Sequence, residues 1–171
     1  MSRLHWTSEN EFLLDGTSYV ALARLKDLHT APGQLAIFKG KDFVERYESL
    51  VDKNRPRNIF ELGIFKGGST AFLAQIARPD KLVAVDISPD PVPKLEQWID
   101  AHGMRANVSP RYGVDQANHA QLAAIMREEF GDAPLDLVID DASHLVAETR
   151  ASFNSLFPLV RPGGIYLIED W

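Results

Sequence analysis

Seven acidic residues lie at or just beyond the ends of apolar segments, from residue 61 onward: Glu61, Asp86, Asp115, Asp140, Asp141, Glu169 and Asp170. A single acid in such a place is most often a helix cap or a solvated loop residue. Carboxylates that crowd together repel one another unless a cation or a polyhydroxyl ligand lies among them. If the fold gathers these acids at one rim, we therefore expect a bound cation, a polyhydroxyl ligand or both.

A glycine-rich segment follows the first of these acids. Gly63, Gly67 and Gly68 precede a predicted helix over residues 69–77, which begins at Ser69. Glycines between a strand and a helix let the backbone approach a ligand, and the free N–H groups of the helix face it. The spacing is G-x-x-x-G-G rather than the G-x-G-x-x-G of dinucleotide-binding folds. We expect these three glycines and Ser69 to bind a nucleotide-sized ligand, and a nicotinamide dehydrogenase is disfavoured.

Glu61 and Asp86 indicate which ligand this is. Asp86 ends the next apolar run, at about the separation at which a carboxylate binds ribose hydroxyls in nucleotide-binding sheets. Glu61 would repel a pyrophosphate but suits a cationic amino-acid moiety. The inferred ligand is S-adenosylmethionine, which carries an ammonium and a sulfonium and has no phosphate. We expect Asp115 to contact its adenine amino group and Asp140 to face its methionine end.

Alternating strands and helices must position these residues. Continuous apolar strands separated by helices predict an α/β fold with a parallel sheet covered on both faces. Ligands bind beyond the carboxyl ends of the strands in such sheets, which is where the acids lie. The predicted strands cover residues 59–62, 82–86, 107–112, 135–140 and 165–168, and the predicted helices cover 42–52, 69–77, 93–101 and 122–130. A last helix has the apolar stripe Val146, Phe153, Leu156, Phe157 and Val160.

The first 40 residues precede this pattern. Asp15 and Gly16 lie between two apolar runs, which predicts a hairpin turn. We predict an N-terminal hairpin or cover segment over residues 1–40 and an S-adenosylmethionine-binding domain over residues 41–171, which together form one compact domain. A substrate lid is the less favoured alternative for the N-terminal segment.

Composition narrows the class of protein. The chain of 171 residues has 45% hydrophobic and 25% charged residues, as ordinary globular domains do. A net charge of -6 argues against a nucleic-acid partner, and the absence of cysteine excludes thiolate chemistry. No segment has the pattern of a signal peptide or a membrane span, so we predict a soluble, cytoplasmic protein without a membrane partner.

Two segments carry a family resemblance. Residues 61–70 together with Asp86 resemble the cofactor half of class I S-adenosylmethionine-dependent methyltransferases, which implies a Rossmann-like sheet. The segments Ile-Asp-Asp-Ala-Ser-His at 139–144 and Pro-Gly-Gly-Ile-Tyr-Leu-Ile-Glu-Asp at 162–170 resemble a narrower group. That group is the metal-dependent macrolide sugar O-methyltransferases of the mycinamicin and macrocin type, with cephalosporin hydroxylase-like proteins as near relatives. The resemblance runs from about residue 57 to 171, and more weakly over residues 5–12.

The resemblance implies that Asp141, Glu169 and Asp170 hold Mg²⁺ and that His144 is the general base, with Asp141 also part of the catalytic machinery. It implies an O-methyltransferase that acts on a hydroxyl of a sugar or related natural product, in antibiotic biosynthesis. A hard cation held by carboxylates lowers the pKa of a hydroxyl, and a histidine accepts its proton. Glu169 and Asp170 point to opposite faces of a regular strand, so they share an ion only if the strand ends at Ile168 and the backbone turns there.

Relatives of this kind usually add two strands beside the fifth, whereas this chain stops at Trp171. The fifth strand would then be an apolar edge, so we expect either a fragment of a longer protein or a partner, such as a second copy, that covers the edge. Two alternative functions stay open: a catechol-type metal-dependent methyltransferase, and a non-catalytic S-adenosylmethionine-binding or assembly module.

Overall fold

The N-terminal part of the chain forms a four-stranded sheet in the computed structural model, which describes residues 2–24 and 29–170. The predicted hairpin is confirmed: Asp15 and Gly16 have φ values of 46° and 85°, as a tight hairpin turn between right-twisted strands requires. The fourth strand pairs in parallel with the third. In sheet order the strands are β1 (His5–Trp6), β2 (Glu11–Leu14), β3 (Thr17–Ala21) and β4 (Leu35–Ile37).

A five-stranded sheet forms the centre of the fold. Its strands in chain order are β5 (Asn58–Leu62), β6 (Lys81–Asp86), β7 (Val108–Tyr112), β8 (Leu135–Asp140) and β9 (Val160–Ile168). Their order across the sheet is β7-β6-β5-β8-β9, and every neighbouring pair is parallel. The predicted parallel α/β architecture is therefore confirmed. The chain leaves the central strand β5 toward β6 and later returns to its other side as β8, which places a ligand crevice at the carboxyl ends of these strands.

Helices cover both faces of this sheet. They are α1 (Lys41–Asn54), α2 (Gly68–Ala77), α3 (Pro93–Ala101), α4 (His119–Glu129) and α5 (Val146–Leu156). The first three pack on one face together with the N-terminal sheet, and the last two pack on the other. Among the described residues, no helix combines the length and apolar composition that crossing a membrane requires.

The N-terminal sheet shares the core of the first face. Phe12 stacks on Tyr19 with ring centroids 5.1 Å apart, and both rings meet Phe72 of α2 edge-on. The buried Tyr19 hydroxyl donates to Gln75 Oε1 at 2.6 Å. Each such aromatic pair adds about 0.5–1.5 kcal/mol beyond its buried area. This continuous packing supports a cover rather than a lid, and the division of the chain at residue 40 stays a prediction.

The predicted apolar stripe of the last helix is wrong in most positions. Val146 is 66% exposed and Phe157 is 49% exposed, and Val160 belongs to β9 rather than to the helix. Instead, α5 buries Thr149, Ser152, Ser155 and Leu156. The reason is that two polar side chains, Asp140 at the end of β8 and Gln116 in the turn after β7, lie under the helix and form hydrogen bonds with Ser152.

Strand β9 begins earlier than predicted. Val160 pairs with Leu135 and Ile165 pairs with Leu137, so the intervening Pro162-Gly163-Gly164 segment bulges out of the ladder. Gly163 has a φ of 79°, which a residue with a side chain rarely adopts. The strand ends at Ile168, and among the described strands it lies at the edge of the sheet, as expected.

Candidate functional site

The carboxyl ends of the strands surround a cavity of about 470 Å³. This volume lies in the range of small-molecule and cofactor sites. Its lining includes three predicted cofactor residues (Gly63, Asp86 and Asp115) and three predicted metal or catalytic residues (Asp141, His144 and Asp170). The rest of the lining consists of Phe38, Phe65, Val85, Ile87, Val114, Gln116, Ala142, Ser143 and Glu148. One cavity therefore brings together the two halves of the predicted site.

Asp86 fixes the backbone of the glycine-rich loop. Its Oδ2 accepts hydrogen bonds from the N–H groups of Ile64 (2.9 Å) and Phe65 (2.8 Å), and its Oδ1 accepts one from Ser88 N at 2.9 Å. Carboxylate oxygens carry further lone pairs, so Asp86 retains acceptor capacity toward the cavity. Asp115 is exposed at the neighbouring strand end and accepts a hydrogen bond from Ala117 N at 2.8 Å. Both residues lie where the nucleoside of the predicted ligand is expected.

Close contacts within the protein account for the three glycines. A Cβ at Gly63 would lie 2.2 Å from the backbone oxygen of Asp141, and one at Gly68 would lie 1.9 Å from the oxygen of Ala36. A Cβ at Gly67 would lie 2.6 Å from Leu95 Cβ. We expected these glycines to admit a ligand, but their nearest neighbours are protein atoms. Gly63 and Gly68 still line cavities, whereas Gly67 lines none of those described.

Glu61 lies beneath the loop rather than in the cavity wall. It is 1% exposed, and its Oε2 accepts a hydrogen bond from Thr70 Oγ1 at 2.6 Å. Burial raises the pKa of Glu61 to about 7, although the hydrogen bonds from Thr70 and Ser69 and the charge of Lys39 act in the opposite direction. Ser69 itself lines a recess of about 40 Å³ that shares Gly63 and Asp141 with the main cavity.

Asp141, His144 and Asp170 form a cluster with the geometry of a metal site. One ligand atom from each lies within 4.8 Å of the other two, and His144 Nε2 is 3.9 Å from Asp141 Oδ1. The backbone turns sharply at two of these residues, since His144 and Asp170 have φ values of 56° and 49°. Strand β9 ends at Ile168 and the backbone turns at Asp170, which was the condition for Glu169 and Asp170 to share an ion, but Glu169 is not a member of this cluster.

The side chain of Glu169 lies on the opposite face of the sheet from that of Asp140. It contacts Lys39 and Tyr47, whereas Asp170 lies in the cluster with Asp141 and His144. Lys39 Nζ lies 2.6 Å from Glu169 Oε2 and 2.6 Å from Asp141 Oδ2, and Tyr47 donates its hydroxyl proton to Glu169 Oε1. Burial alone would lower the pKa of Lys39, but the two carboxylates outweigh it and raise that pKa. Burial and the charge of Glu169 raise the pKa of Tyr47 well above its ordinary value. A metal-ligand role for Glu169 stays a prediction.

Asp140 lies away from the cavity, on the face that α5 covers. Strand alternation turns its side chain toward Ser152, Gln116 and Tyr166, which all donate hydrogen bonds to it. Burial raises the pKa of Asp140, partly offset by these bonds. Gln116 also accepts a hydrogen bond from Ser143 N at 2.9 Å. Through Gln116, Asp140 supports the loop that carries His144, and its contact with the methionine end of the cofactor stays a prediction.

The chemistry of the donor set fits a hard divalent cation. Mg²⁺ prefers carboxylate oxygens, and Asp141 and Asp170 offer them next to an imidazole. In addition, the ammonium of Lys39 lies between Asp141 and Glu169, so the protein already places a cation among these carboxylates. Lys39 relieves part of the repulsion from which a bound cation was predicted, and the Mg²⁺ site stays a prediction.

Sequence reasoning missed Lys39, Tyr47, Gln116 and Phe38. Lys39 and Phe38 follow β4, in the segment interpreted only as a cover. Helical spacing places Tyr47 on the core-facing stripe of α1. Because a buried tyrosine hydroxyl needs a hydrogen-bond partner, this position could have indicated a polar group nearby. Gln116 directly follows Asp115 at a strand end, so its position in the chain was a second signal.

Comparison with known proteins identifies a family. A protein-family model described as a methyltransferase domain matches residues 60–171. The mycinamicin VI 2''-O-methyltransferase of Micromonospora griseorubida is 51% identical over 53 residues, which are 31% of this chain and 13% of that protein. The demethylmacrocin O-methyltransferase of Streptomyces fradiae is 62% identical over 37 residues, 22% of this chain and 9% of that protein.

Solved structures of methyltransferases are also similar to this chain. The MycE methyltransferase from the mycinamycin biosynthetic pathway, in complex with Mg, SAH and mycinamycin VI, is 31% identical with a TM-score of 0.58. The match covers 75% of this chain and 34% of that protein. An O-methyltransferase from Bacillus cereus in complex with SAH shares the fold at 24% identity and a TM-score of 0.62, over 75% of this chain and 56% of that one. The chain thus spans about a third of the length of MycE.

Proposed function

Because the chain belongs to the methyltransferase-domain family, we propose that it transfers the methyl group of S-adenosylmethionine to a hydroxyl of a sugar or related natural product, with Mg²⁺ bound at the same rim. The observation that carries this proposal is the shared cavity, since Asp86 and Asp115 line one part of it and Asp141, His144 and Asp170 another. A methyl donor and a hydroxyl acceptor must meet in one place, and this cavity offers both sets of contacts.

The methyl donor would lie along the ends of β5, β6 and β7. Asp86 would accept hydrogen bonds from the ribose hydroxyls through its remaining lone pairs, and Asp115 would accept one from the adenine amino group. The recess beside Gly63, Gly68 and Ser69 would hold the amino-acid end. Glu61 lies below this recess, so it would act on the ammonium through its charge and the loop rather than as part of the wall.

The metal would be held by Asp141 and Asp170, with Glu169 as the third carboxylate. When bound, Mg²⁺ supplies a positive charge that lowers the pKa of the acceptor hydroxyl, and the sulfonium of S-adenosylmethionine supplies the methyl group. Asp141 would orient these groups, because it contributes one oxygen to the cluster with His144 and another to Lys39.

His144 would act as the general base. Its side chain is 41% exposed and lines the cavity, so its imidazole is accessible to an acceptor. It would take the proton that the hydroxyl loses as the acceptor oxygen bonds to the methyl carbon and the carbon–sulfur bond breaks, with S-adenosylhomocysteine as the other product. Correctly placed general bases contribute about 10²–10⁴-fold in rate.

The names of the relatives support a sugar as acceptor. Besides the two macrolide enzymes, a Streptomyces olivaceus relative, 43% identical over 58 residues that are 33% of this chain and 14% of that protein, is described as an 8-demethyl-8-alpha-L-rhamnosyl tetracenomycin-C 2'-O-methyltransferase. By analogy, we assign this chain to antibiotic or other natural-product biosynthesis. Adjacent hydroxyls of a sugar ring would offer two oxygens of the kind that Mg²⁺ prefers.

An acceptor panel tests the proposal. The protein is incubated with S-adenosylmethionine labelled in the methyl group, Mg²⁺ and either deoxysugar glycosides or catechols, and label transfer is measured. We expect transfer to glycosides that carry adjacent hydroxyls. Transfer to catechols alone would replace the sugar acceptor with an aromatic diol. Tight binding of S-adenosylmethionine without transfer to any hydroxylated acceptor would favour the non-catalytic module.

A further inference from the structure

Lys39 is the one buried cation that the described residues place against the acids of the rim. Its side chain is 8% exposed, and its Nζ lies 2.6 Å from an oxygen of Asp141 and 2.6 Å from an oxygen of Glu169. It comes from the segment between β4 and α1, outside the residues that the family model matches. The contacts span 102 and 130 positions in the chain, so they exist only because the N-terminal sheet packs where it does.

These contacts leave one oxygen of Asp141 free of Lys39. Lys39 takes Asp141 Oδ2, whereas Asp141 Oδ1 is the oxygen that lies 3.9 Å from His144 Nε2. At Glu169, Lys39 contacts Oε2 and the Tyr47 hydroxyl donates to Oε1, so both oxygens of this carboxylate are hydrogen-bonded within the protein. The ammonium also lies 5.6 Å from the centroid of the Tyr47 ring. Lys39 thus holds one oxygen of Asp141, and together with Tyr47 it holds both oxygens of Glu169.

The charges agree with this arrangement. Asp141, Glu169 and Asp170 carry three negative charges, and Lys39 reduces the sum to minus two, which one divalent cation neutralises. Without Lys39, Asp141 and Glu169 would repel each other, and Glu169 is almost completely buried with a 6% exposed side chain. Outer partners that hydrogen-bond to ligating carboxylates set their orientation, and their loss typically weakens metal binding about 10–100-fold.

We propose that Lys39 is a positioning residue for the divalent cation: its ammonium holds Asp141 and Glu169 at the rim and matches the charge of the acid set to one Mg²⁺. This inference rests on the metal of the proposed function and adds to it a residue from the N-terminal segment. In the alternative role, the ammonium of Lys39 competes with Mg²⁺ for the same carboxylates, so that removal of Lys39 strengthens metal binding. The two roles predict changes of opposite sign.

Calorimetric titration of Mg²⁺ into the full chain distinguishes them. We expect Lys39→Met, which keeps the length of the side chain and removes its charge, to weaken Mg²⁺ binding by about 10–100-fold. The dissociation constant of S-adenosylmethionine is measured in parallel, because Lys39 also lines the recess proposed for its amino-acid end, and it should change by a smaller factor than that of Mg²⁺. The Mg²⁺ concentration for half-maximal methyl transfer should rise in proportion, and excess Mg²⁺ should restore the rate.

Lys41→Met is the matched control. Lys41 lies two positions away at the start of α1, is 42% exposed and pairs with Glu45 at 4.0 Å, so its removal should leave Mg²⁺ binding unchanged. Should Lys39→Met fail to fold, Lys39→Gln takes its place, since the amide keeps an N–H donor without the charge. We expect it to bind Mg²⁺ about 10-fold more weakly.

Each remaining outcome overturns the proposal. Mg²⁺ binding as tight as wild type, or tighter, in the Lys39 variant would refute the positioning role and leave the proposed function intact. Absence of Mg²⁺ binding in the wild type would instead refute the metal of the proposed function, and the inference about Lys39 with it.

Discussion

At the scale of single residues, Asp141 has the largest number of roles in the site. One of its oxygens binds Lys39 and the other faces His144, while its backbone oxygen lies against Gly63. Its N–H donates to Leu62 O at 2.9 Å, which continues the pairing of β8 with β5 past the strand end. The side chain is therefore placed by the sheet itself rather than by a free loop.

Asp141→Ala should abolish methyl transfer while leaving the fold intact. Loss of an outer partner already costs about 10–100-fold, so loss of a ligand should lower the rate by more than about 100-fold. Steady-state rates at saturating S-adenosylmethionine and Mg²⁺ measure this change. Asp132→Ala, at an exposed acid distant from the rim, is the control and should keep the wild-type rate. An Asp141→Ala protein with more than a tenth of wild-type activity would contradict the assignment.

Glu61 predicts a pH dependence of stability in the absence of cofactor. Its pKa rises from 4.5 to about 7 in the fold, so the folded protein binds more protons than the unfolded chain between these values. The free energy of unfolding therefore falls as pH rises from about 5 to about 7 and is level above that. Glu61 contributes at most about 3 kcal/mol to this fall.

Glu61→Gln should remove this contribution, because the amide is neutral at every pH. Urea unfolding at pH 5, 6, 7 and 8 should give a flatter curve than wild type and higher stability at pH 8. Glu45→Gln, at an exposed glutamate, should retain the wild-type slope. If the Glu61 variant and the wild type share one slope, the raised pKa is not a property of the folded protein.

At the scale of elements, the start of α2 packs tightly against the N-terminal sheet. Gly68, the first residue of α2, lies against the carbonyl of Ala36 in β4, and Gly67 lies against Leu95 of α3. The glycine loop thus joins the N-terminal sheet to the cofactor rim. It also brings the segment with Phe38 and Lys39 to the cavity. Tight packing at these glycines should therefore contribute to the stability of the fold.

Gly68→Ala should destabilise the protein by about 1–3 kcal/mol or more, because its Cβ would lie 1.9 Å from Ala36 O. Gly40→Ala is the comparison: this residue precedes α1 with a φ of −65°, and a Cβ added there would have no neighbouring atom within 4 Å. Its cost should stay below about 1 kcal/mol. Thermal and urea unfolding measure both. Equal stability of the two variants would contradict the close packing at Gly68.

The N-terminal hairpin and most strands and helices from residue 41 onward could be predicted from the sequence because their signals are local, whereas β1 and the parallel strand β4 were not predicted. Apolar runs such as residues 82–86 and 135–140 fix a strand by composition, and Asp15-Gly16 fixes a turn by backbone preference. The stripe of α5 could not be predicted this way. Its buried face is polar because it covers Asp140 and Gln116, and these residues reach the helix from distant parts of the chain.

At the scale of the whole molecule, the same distinction applies to the site. The rule that parallel strands end at one rim correctly placed Asp86, Asp115, Asp141 and Asp170 around one cavity. It could not place Lys39, whose contacts depend on how the N-terminal sheet packs on the parallel sheet. The rule also could not predict that the side chains of Glu169 and Asp140 lie on opposite faces of the sheet, because the direction of each side chain depends on where its strand ends.

The dependence of methyl transfer on a divalent cation tests the central claim most directly. The protein is assayed with labelled S-adenosylmethionine and a glycoside acceptor in Mg²⁺, in EDTA, and in EDTA followed by excess Mg²⁺. We predict transfer in Mg²⁺, loss of at least about 100-fold in EDTA and recovery on re-addition, with S-adenosylmethionine binding present throughout. Full transfer in EDTA would contradict a metal role for Asp141, Glu169 and Asp170.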